Sequence, residues 1–291
     1  MQIDMHFYGV YALARAAGMS DAIARKIAYA SQFVDDAIDD DYIILDDNRA
    51  IVPTMTSHKP IDYQNALAGD QWKVWIPFHF LPGYKGKKIK ISTKHSSGIM
   101  SYLRAKYEEF KTRFISGFPE VIPVGHGAVG TYPDRPYLAW EYTYELRKEG
   151  SSRKKVKRDN LADFLEGSRR IHEYFNRFVQ LDSKHGDAGS GKDWANIKPA
   201  VQDILKTEGP KDKRIEKWIE HLEKGTFCIT TNTDMGIKYD EGLWRARRAE
   251  LELGGTGLIE NSDACRFILA ARQYRNYVLS DLLPDIGLTL P

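Results

Sequence analysis

The residues best suited to chemistry at the start of this chain are one imidazole and three carboxylates. Asp4 and His6 lie near the start of a predicted helix, and Asp35 and Asp36 lie near the end of a second one. Because the turn between the helices is short, the second is expected to fold back antiparallel and bring the four side chains together. Imidazole and carboxylate ligands suit a divalent Zn, Mn or Fe ion. The sequence therefore predicts a metal site in the opening helical hairpin.

Further candidate ligands lie on segments with irregular sequence patterns. His58, in TSHKPIDY, and His126, in PVGHGAVG, lie on such segments, where functional side chains concentrate. His126 has glycine on both sides and little packing of its own, whereas His79, between two phenylalanines, is interpreted as a core residue. The other histidines downstream lie among charged residues and are predicted to be on the surface: His95, His172, His185 and His221.

Three short motifs resemble known ligand-binding patterns. GHGAVG, from Gly125 to Gly130, has the spelling of a dinucleotide-binding loop, but prolines follow where a helix is required. GDAGSGKD, from Gly186 to Asp193, resembles a phosphate-binding loop but follows a predicted helix, so we interpret it as a polar loop. DDAIDD matches the D-D-x-x-D motif with which class I isoprenoid synthases hold magnesium diphosphate, through Asp35, Asp36 and Asp39. A second metal-binding helix is not apparent, and a solvated acidic helix end is the alternative interpretation.

Composition argues against several classes of protein. The chain has 42 basic and 40 acidic residues and a net charge of +2, so its overall balance does not indicate a polyanion or an anionic membrane as the main partner. Its two cysteines match no metal-binding spacing and are interpreted as packing residues in a reducing compartment. No secretion signal and no membrane-spanning stretch are recognised, so we expect a cytoplasmic protein without membrane insertion.

Helical periodicity predicts an all-α fold, a multi-helix bundle in a single domain over residues 1–291. An irregular middle segment, with a short hairpin, is expected from about Asp40 to His95, and a Gly- and Pro-rich loop follows Ile115. Helices are predicted at about 7–17, 20–36, 96–115, 159–179, 197–207, 212–224, 241–253 and 261–281.

Four blocks of sequence resemble a known family. They are MQIDMHFYGVYALARAAG, IAYASQFVDDA, PFHFLPG and VIPVGHGAVGTYPDRPYLAWEY. Together they resemble a bacterial family of uncharacterised helical proteins, which is distantly similar to the superfamily of zinc-dependent phospholipase C and single-strand nucleases. The resemblance covers the first half of the chain, and the N-terminal block is its most specific part. It implies an all-α phosphodiesterase fold with a zinc cluster.

The resemblance implies a ligand set that this chain matches only in part. The early ligand positions of the superfamily fall on His6, on Asp35 or Asp36, and on His58, and His126 is a candidate late ligand. The superfamily also has a central helix with His, Asp and His as ligands. That helix carries Arg104, Glu108 and Thr112 here, and of these Glu108 can bind a metal but Arg104 cannot. A complete trinuclear zinc site is therefore not expected.

Three functional hypotheses follow. The first is a metal-dependent phosphoester hydrolase with Asp35 as general base, which retains one metal ion or uses a different metal, or a degenerate form that has kept the scaffold without hydrolysis. Its candidate metal ligands are Asp4, His6, Asp36, His58, Glu108 and His126, and its candidate substrate-binding residues are Arg104, Lys87 and Lys88. Its substrate would be a phosphate-containing small molecule or a nucleic acid. The second is a non-enzymatic binding or regulatory protein on the same helical scaffold, and the third is an isoprenoid-synthase-like diphosphate binder.

The binding hypothesis has two candidate contact surfaces, the loop around His126 and the basic run from Arg147 to Arg158. The basic run could hold a phosphate-rich ligand. Its Gly-Ser-Ser core favours the alternative interpretation of a solvated, mobile loop.

Overall fold

The computed structural model describes residues 2–38, 42–45, 48–57, 74, 77–78, 131–144, 154–181, 183–187, 191–228, 236–246 and 262–285. Most of these residues are helical, with a few short strands. The chain forms two compact units, each built from two separate stretches of sequence. The first unit comprises Met1–Gln32 and Pro123–Tyr239, and the second comprises Phe33–Ile122 and Asp240–Pro291.

The first unit contains most of the described helices. A π-helical turn, Asp4–Gly9, continues into α1, Val10–Ala16, and α2 begins at Asp21. After a 3-10 turn at Tyr132–Asp134, strands β3, Ala139–Tyr144, and β4, Lys154–Asp159, pair in antiparallel register. Three helices follow: α3, Asn160–Leu181; α4, Trp194–Leu205; and α5, Lys211–Glu223. A 3-10 turn at Ser183–His185 follows α3.

Two glycines shape the N-terminal helical segment, residues 4–16. Gly18 ends it with a φ of 88°, the left-handed conformation that glycine adopts without strain, as the Ala17-Gly18 pair predicts. Where the π-helical turn meets α1, a Cβ on Gly9 would lie 3.2 Å from the Trp218 ring, so the glycine lets α5 approach closely. Trp218 is completely buried, with its ring 5.4 Å from that of Phe227. Helix α3 packs against α1 and α4 in the same unit.

The second unit has a small hairpin and a C-terminal helix as its described elements. Helix α2, Asp21–Asp36, contributes its last turn from Phe33 onward. Strands β1, Ile43–Ile44, and β2, Ala50–Ile51, form an antiparallel pair. Helix α6, Asp263–Tyr277, continues through a π-helical turn, Val278–Leu282, into the short helix α7, Leu283–Asp285.

Aromatic and aliphatic contacts hold these elements of the second unit together. The rings of Phe33, Trp244 and Phe267 lie 5.0–5.3 Å from one another. One face of the hairpin buries Ile43 and Leu45 against α6, where they contact Cys265 and Ile268. Cys228, in the first unit, is likewise buried, and both cysteines are free, in agreement with their predicted packing role.

The structure agrees with the sequence on most helices and differs on one element. The helices predicted near 20–36, 159–179, 197–207, 212–224 and 261–281 are present within a few residues, and a short hairpin lies in the irregular middle segment. Residues 243–246 of the helix predicted at 241–253 are helical, and the helix predicted at 96–115 lies outside the described residues. The interpretation of the basic run as a mobile loop was wrong for residues 154–158, which belong to β4.

Within the part of the chain that the structure describes, no helix combines the length and the apolar character needed to cross a membrane.

Candidate functional site

Asp4, the first predicted metal ligand, is paired with an arginine. Its carboxylate accepts a 2.5 Å hydrogen bond from Nε of Arg214, and the two side chains are 4% and 1% exposed. Arg214 also donates to the carbonyls of Thr207 and Gly209, at 3.3 and 3.1 Å. Burial raises the pKa of Asp4, and the Arg214 guanidinium opposes that shift. This ion pair therefore connects the N-terminal π-helical turn to α5 and to the loop before α5.

The other predicted residues of the opening hairpin belong to different units. His6 is half-buried in the first unit, and Asp35 and Asp36 are half-buried at the end of α2, in the second. Among the residues that the structure describes, no three His, Cys, Asp or Glu side chains lie close enough together to hold a metal ion. The remaining predicted site residues lie outside the described ranges and stay predictions: His58, Lys87, Lys88, Arg104, Glu108 and His126.

The end of α2 is capped by residues from the segment 54–57. The hydroxyl of Thr56 donates to the Val34 carbonyl at 2.8 Å, and the hydroxyl of Ser57 donates to the Asp35 carbonyl. Their backbone N–H groups both donate to the carbonyl of Ala37. These bonds satisfy carbonyl groups that a helix leaves without internal partners. They also hold Ser57, the residue bonded to His58, beside the backbone of Asp35.

Arg245 is a functional candidate that the sequence reasoning missed. Its Nη2 lies 3.5 Å from the Asp36 carbonyl and 3.4 Å from a Glu241 carboxylate oxygen, and its side chain is 41% exposed. Both contacts are long, and a guanidinium has five N–H donors. Arg245 can therefore bind an additional oxygen-rich group beside the last turn of α2.

The described residues of GDAGSGKD, 186–187 and 191–193, follow α3 and lie outside the helices, as predicted, and Lys192 is hydrogen-bonded. The Lys192 ammonium group donates to the carbonyls of Gly225 and Thr226, at 2.5 and 3.1 Å. Asp187 pairs with the buried Arg15 at 2.6 Å. The described part of this loop thus joins α1 to the end of α5, and its lysine is directed at carbonyl groups.

His172 was wrongly predicted to be a surface residue, because it is only 2% exposed. It lies on the buried side of α3, and its Nε2 donates to the Lys192 carbonyl at 2.9 Å. Burial lowers the pKa of His172, while hydrogen bonds to the carbonyls of Lys192 and Ala16 oppose the shift. The charged neighbours in sequence, Arg170 and Glu173, lie on the exposed side of the helix.

This buried imidazole predicts a loss of stability in mild acid. Since the pKa of His172 is lower in the folded than in the unfolded chain, the unfolded chain takes up the proton first as pH falls below about 6.5. The free energy of unfolding should therefore fall with pH there, by at most about 1.4 kcal/mol per pH unit for one group. Urea titrations from pH 7.5 to 5 should show a shallower dependence for His172→Gln. His221, whose pKa is also lowered mainly by burial, is expected to leave a residual slope. An unchanged slope in the variant would contradict the assignment.

The basic run presents exposed cations on the edge of a hairpin. In the β3–β4 pair, Arg158 lies opposite Trp140 and Lys157 lies opposite Glu141. Lys155, Lys157 and Arg158 are all exposed. Lys155 forms an ion pair with Glu141 and lowers the pKa of that carboxyl, chiefly through a hydrogen bond. Positive charge therefore lies along a regular strand.

An aromatic and guanidinium stack lies at the base of this hairpin. The rings of Tyr132 and Trp140 lie 5.5 Å apart, and the Arg135 guanidinium lies 5.6 Å from the Tyr132 ring centre. Tyr132 is 49% exposed, and Arg135 is exposed as well. We call these three residues, together with Arg158, which lies on the same face of the hairpin as Trp140, the hairpin surface.

A single buried side chain orients the stack. Asn160, 4% exposed, accepts a 3.0 Å hydrogen bond from the indole N–H of Trp140. Its amide nitrogen donates to the carbonyls of Tyr132 and Arg135, at 2.7 and 2.8 Å. Because these bonds are buried, the loop and the strand keep a fixed relation at the N-terminus of α3. The sequence signal was the alternating WEYTY and KKVKR, on either side of Gly-Ser-Ser, which is typical of a hairpin.

Comparison with known proteins identifies a family but no individual relative. No curated protein and no solved structure matches the chain. One family model matches it in two overlapping segments, residues 1–114 and 97–282, which together cover nearly the whole chain. The chain therefore belongs to a family of unknown function, DUF6765.

Proposed function

We propose that this protein binds single-stranded nucleic acid through the hairpin surface, as a binding protein on a helical scaffold. The observation that carries the proposal is the exposed pair Arg135 and Tyr132, packed on the half-buried Trp140, beside a strand of exposed lysine and arginine. Residues 145–158 contain seven basic and two acidic side chains, whereas the whole chain is nearly neutral. Phosphate-rich polymers are attracted by such local concentrations of positive charge.

The aromatic stack favours a single strand over a duplex. Unpaired bases can stack on aromatic rings and on guanidinium planes, and the bases of a duplex are already stacked on one another. The exposed side chains of Tyr132 and Arg135 offer such contacts, and Arg158 lies on the same face of the hairpin as Trp140. The hairpin surface therefore offers stacking contacts to the bases and positive charge to the phosphates.

Titration with a fluorescently labelled single-stranded oligonucleotide tests the proposal. Stacking of a base on an aromatic side chain contributes about 1–3 kcal/mol, so Tyr132→Ala should weaken binding about tenfold. Arg158→Ala should make the slope of log affinity against log salt shallower by about 0.7. Tyr174→Ala and Lys198→Ala, which alter exposed residues elsewhere in the first unit, serve as matched controls. Equal affinities for Tyr132→Ala and Tyr174→Ala, or no binding at all, would refute the proposal.

We propose metal-dependent phosphoester hydrolysis as a second candidate function, favoured by the capped end of α2. Asp35 and Asp36 lie in the last turn of α2, at the negative end of the helix dipole, where a bound cation is favourable. Ser57, which directly precedes His58 in the chain, and Arg245 both contact the backbone at the end of α2. Arg245 supplies a guanidinium that could bind a phosphate. The resemblance to zinc-dependent phosphodiesterases supports the same interpretation.

In this candidate function the chain supplies ligands, a base and an anion contact. Asp36 and His58 would hold a Zn, Mn or Fe ion, whose Lewis acidity activates water for attack at phosphorus. Asp35 would accept the proton of the attacking water, and Arg245 would hold a non-bridging phosphate oxygen. Asp4, whose carboxylate is bonded to Arg214, is left in its ion pair.

Elemental analysis of the purified protein tests this second candidate. We expect bound metal in the wild type, and a loss of at least tenfold in metal affinity for His58→Ala and for Asp36→Asn. Asp281→Asn, which changes an exposed carboxylate in the same unit, should retain the metal. Absence of bound metal after incubation with Zn, Mn and Fe salts would exclude the hydrolase.

A further inference from the structure

The β1–β2 hairpin of the second unit has an exposed face made of apolar residues. The inward positions Ile43 and Leu45 are 0% and 4% exposed, because they pack on α6. The alternate positions point away from that core, since neighbouring side chains along a strand lie on opposite faces. The exposed side chains on this outer face are Tyr42 at 65%, Ile44 at 62% and Val52 at 41%, with exposed Ala50 paired to Ile44.

The hairpin turn gives this face a defined shape. Asn48 has a φ of 63°, a left-handed conformation that asparagine tolerates better than most residues. The Leu45 N–H donates to the Arg49 carbonyl at 2.9 Å, and the Asn48 N–H donates to the Leu45 carbonyl at 3.0 Å. A turn with these bonds sets the register that places Ile44 beside Ala50. The apolar residues therefore share one face of a fixed hairpin.

Acidic residues adjoin this face at both ends of β1 in the sequence. Asp39, Asp40 and Asp41 directly precede Tyr42, and Asp46 and Asp47 directly follow Leu45. The hairpin segment 39–52 contains one basic residue, Arg49, against these five aspartates. A contiguous apolar face with charged neighbours is typical of an interaction site in a soluble protein.

We propose that this face, the outer hairpin face, binds a cationic amphipathic segment of a partner protein. The apolar side of such a segment would cover Tyr42, Ile44 and Val52, and its lysine or arginine residues would pair with the neighbouring aspartates. The same aspartates repel nucleic acid and anionic membranes. A second copy of this chain would bring the same five aspartates and the same negative charge, which disfavours it as the occupant.

A synthetic peptide of leucine and lysine in amphipathic helical order is a suitable probe, and its binding can be followed by fluorescence anisotropy. Wild-type protein should bind it, and the double variant Ile44→Ser, Val52→Ser should bind at least tenfold more weakly. Leu269→Ser, which alters a side chain 42% exposed on α6 of the same unit, is the matched control and should bind as the wild type does. A leucine–glutamate peptide of the same pattern should not bind.

Changes of charge at Ala50 separate loss of binding from loss of folding. Ala50→Lys should weaken binding of the leucine–lysine peptide and Ala50→Glu should tighten it, an opposite pair of effects that unfolding cannot produce. Three results would each overturn the proposal: equal binding by the wild type and the serine double variant, equal binding of the leucine–glutamate peptide, or wild-type dimers that Ile44→Ser dissociates in sedimentation experiments.

Discussion

Arg214→Ala is expected to lower the free energy of unfolding by about 3–5 kcal/mol, because it leaves the Asp4 carboxylate buried without its partner. The two side chains are almost completely inaccessible, so water cannot replace the guanidinium. Arg214 also serves the carbonyls of Thr207 and Gly209, which lose a donor in the same variant. Urea unfolding monitored by circular dichroism measures the change, and Arg177→Ala, an exposed change on α3, should stay within about 0.5 kcal/mol of the wild type.

The effect of this substitution should depend on pH in a defined direction. Burial already raises the pKa of Asp4, and loss of the Arg214 charge removes the largest opposing influence. A group whose pKa is raised on folding stabilises the folded chain at low pH and loses that contribution as pH rises through the folded pKa. The deficit of Arg214→Ala should therefore shrink as pH falls toward 4. A deficit below 1 kcal/mol at pH 7, or one that grows in acid, would contradict the ion-pair account.

Asn160→Ala is expected to destabilise the first unit by about 2–4 kcal/mol and to weaken nucleic-acid binding. The variant leaves the indole N–H of Trp140 and two loop carbonyls without their buried partner, and each such group costs about 1–3 kcal/mol. Tyr132 and Arg135 would then lose their fixed orientation, although Asn160 itself is too buried to contact a ligand.

Asn160→Asp separates the two roles of this side chain. Aspartate can still accept from Trp140 but cannot donate to the loop carbonyls of Tyr132 and Arg135, so it should retain the strand contact and release the loop. Unfolding measurements and oligonucleotide titrations on both variants test this. Normal affinity in folded Asn160→Ala would show that the stack does not need to be held in place.

Local sequence patterns predicted the helices well because the apolar spacing and end signals of each helix lie within its own residues. Helix α3 is an example, since its periodicity runs through the whole of Asn160–Leu181. The β3–β4 hairpin was missed because its basic composition was interpreted as a solvated loop, although the alternation of WEYTY was visible. The two units could not be predicted, because each joins stretches of chain that are distant in sequence.

Site residues were harder to predict than helices for the same reason. The partner of Asp4 is Arg214, 210 residues away, and no local pattern connects them. His172 was misjudged because its neighbours in sequence are charged, whereas its burial depends on the helix face that α1 and the loop around Lys192 cover. Arg245 becomes a candidate for binding a phosphate only because it contacts the end of α2. The candidate ligands His58, Glu108 and His126 stay predictions from sequence.

Ultraviolet cross-linking of a single-stranded oligonucleotide to the wild-type protein, followed by mass spectrometry of the adducts, tests the binding proposal most directly. Aromatic side chains stacked on bases are well placed to cross-link, so adducts should fall on peptides that contain Tyr132 or Trp140 and should disappear in excess unlabelled strand. Adducts confined to peptides outside residues 131–158 would contradict the assignment of the hairpin surface.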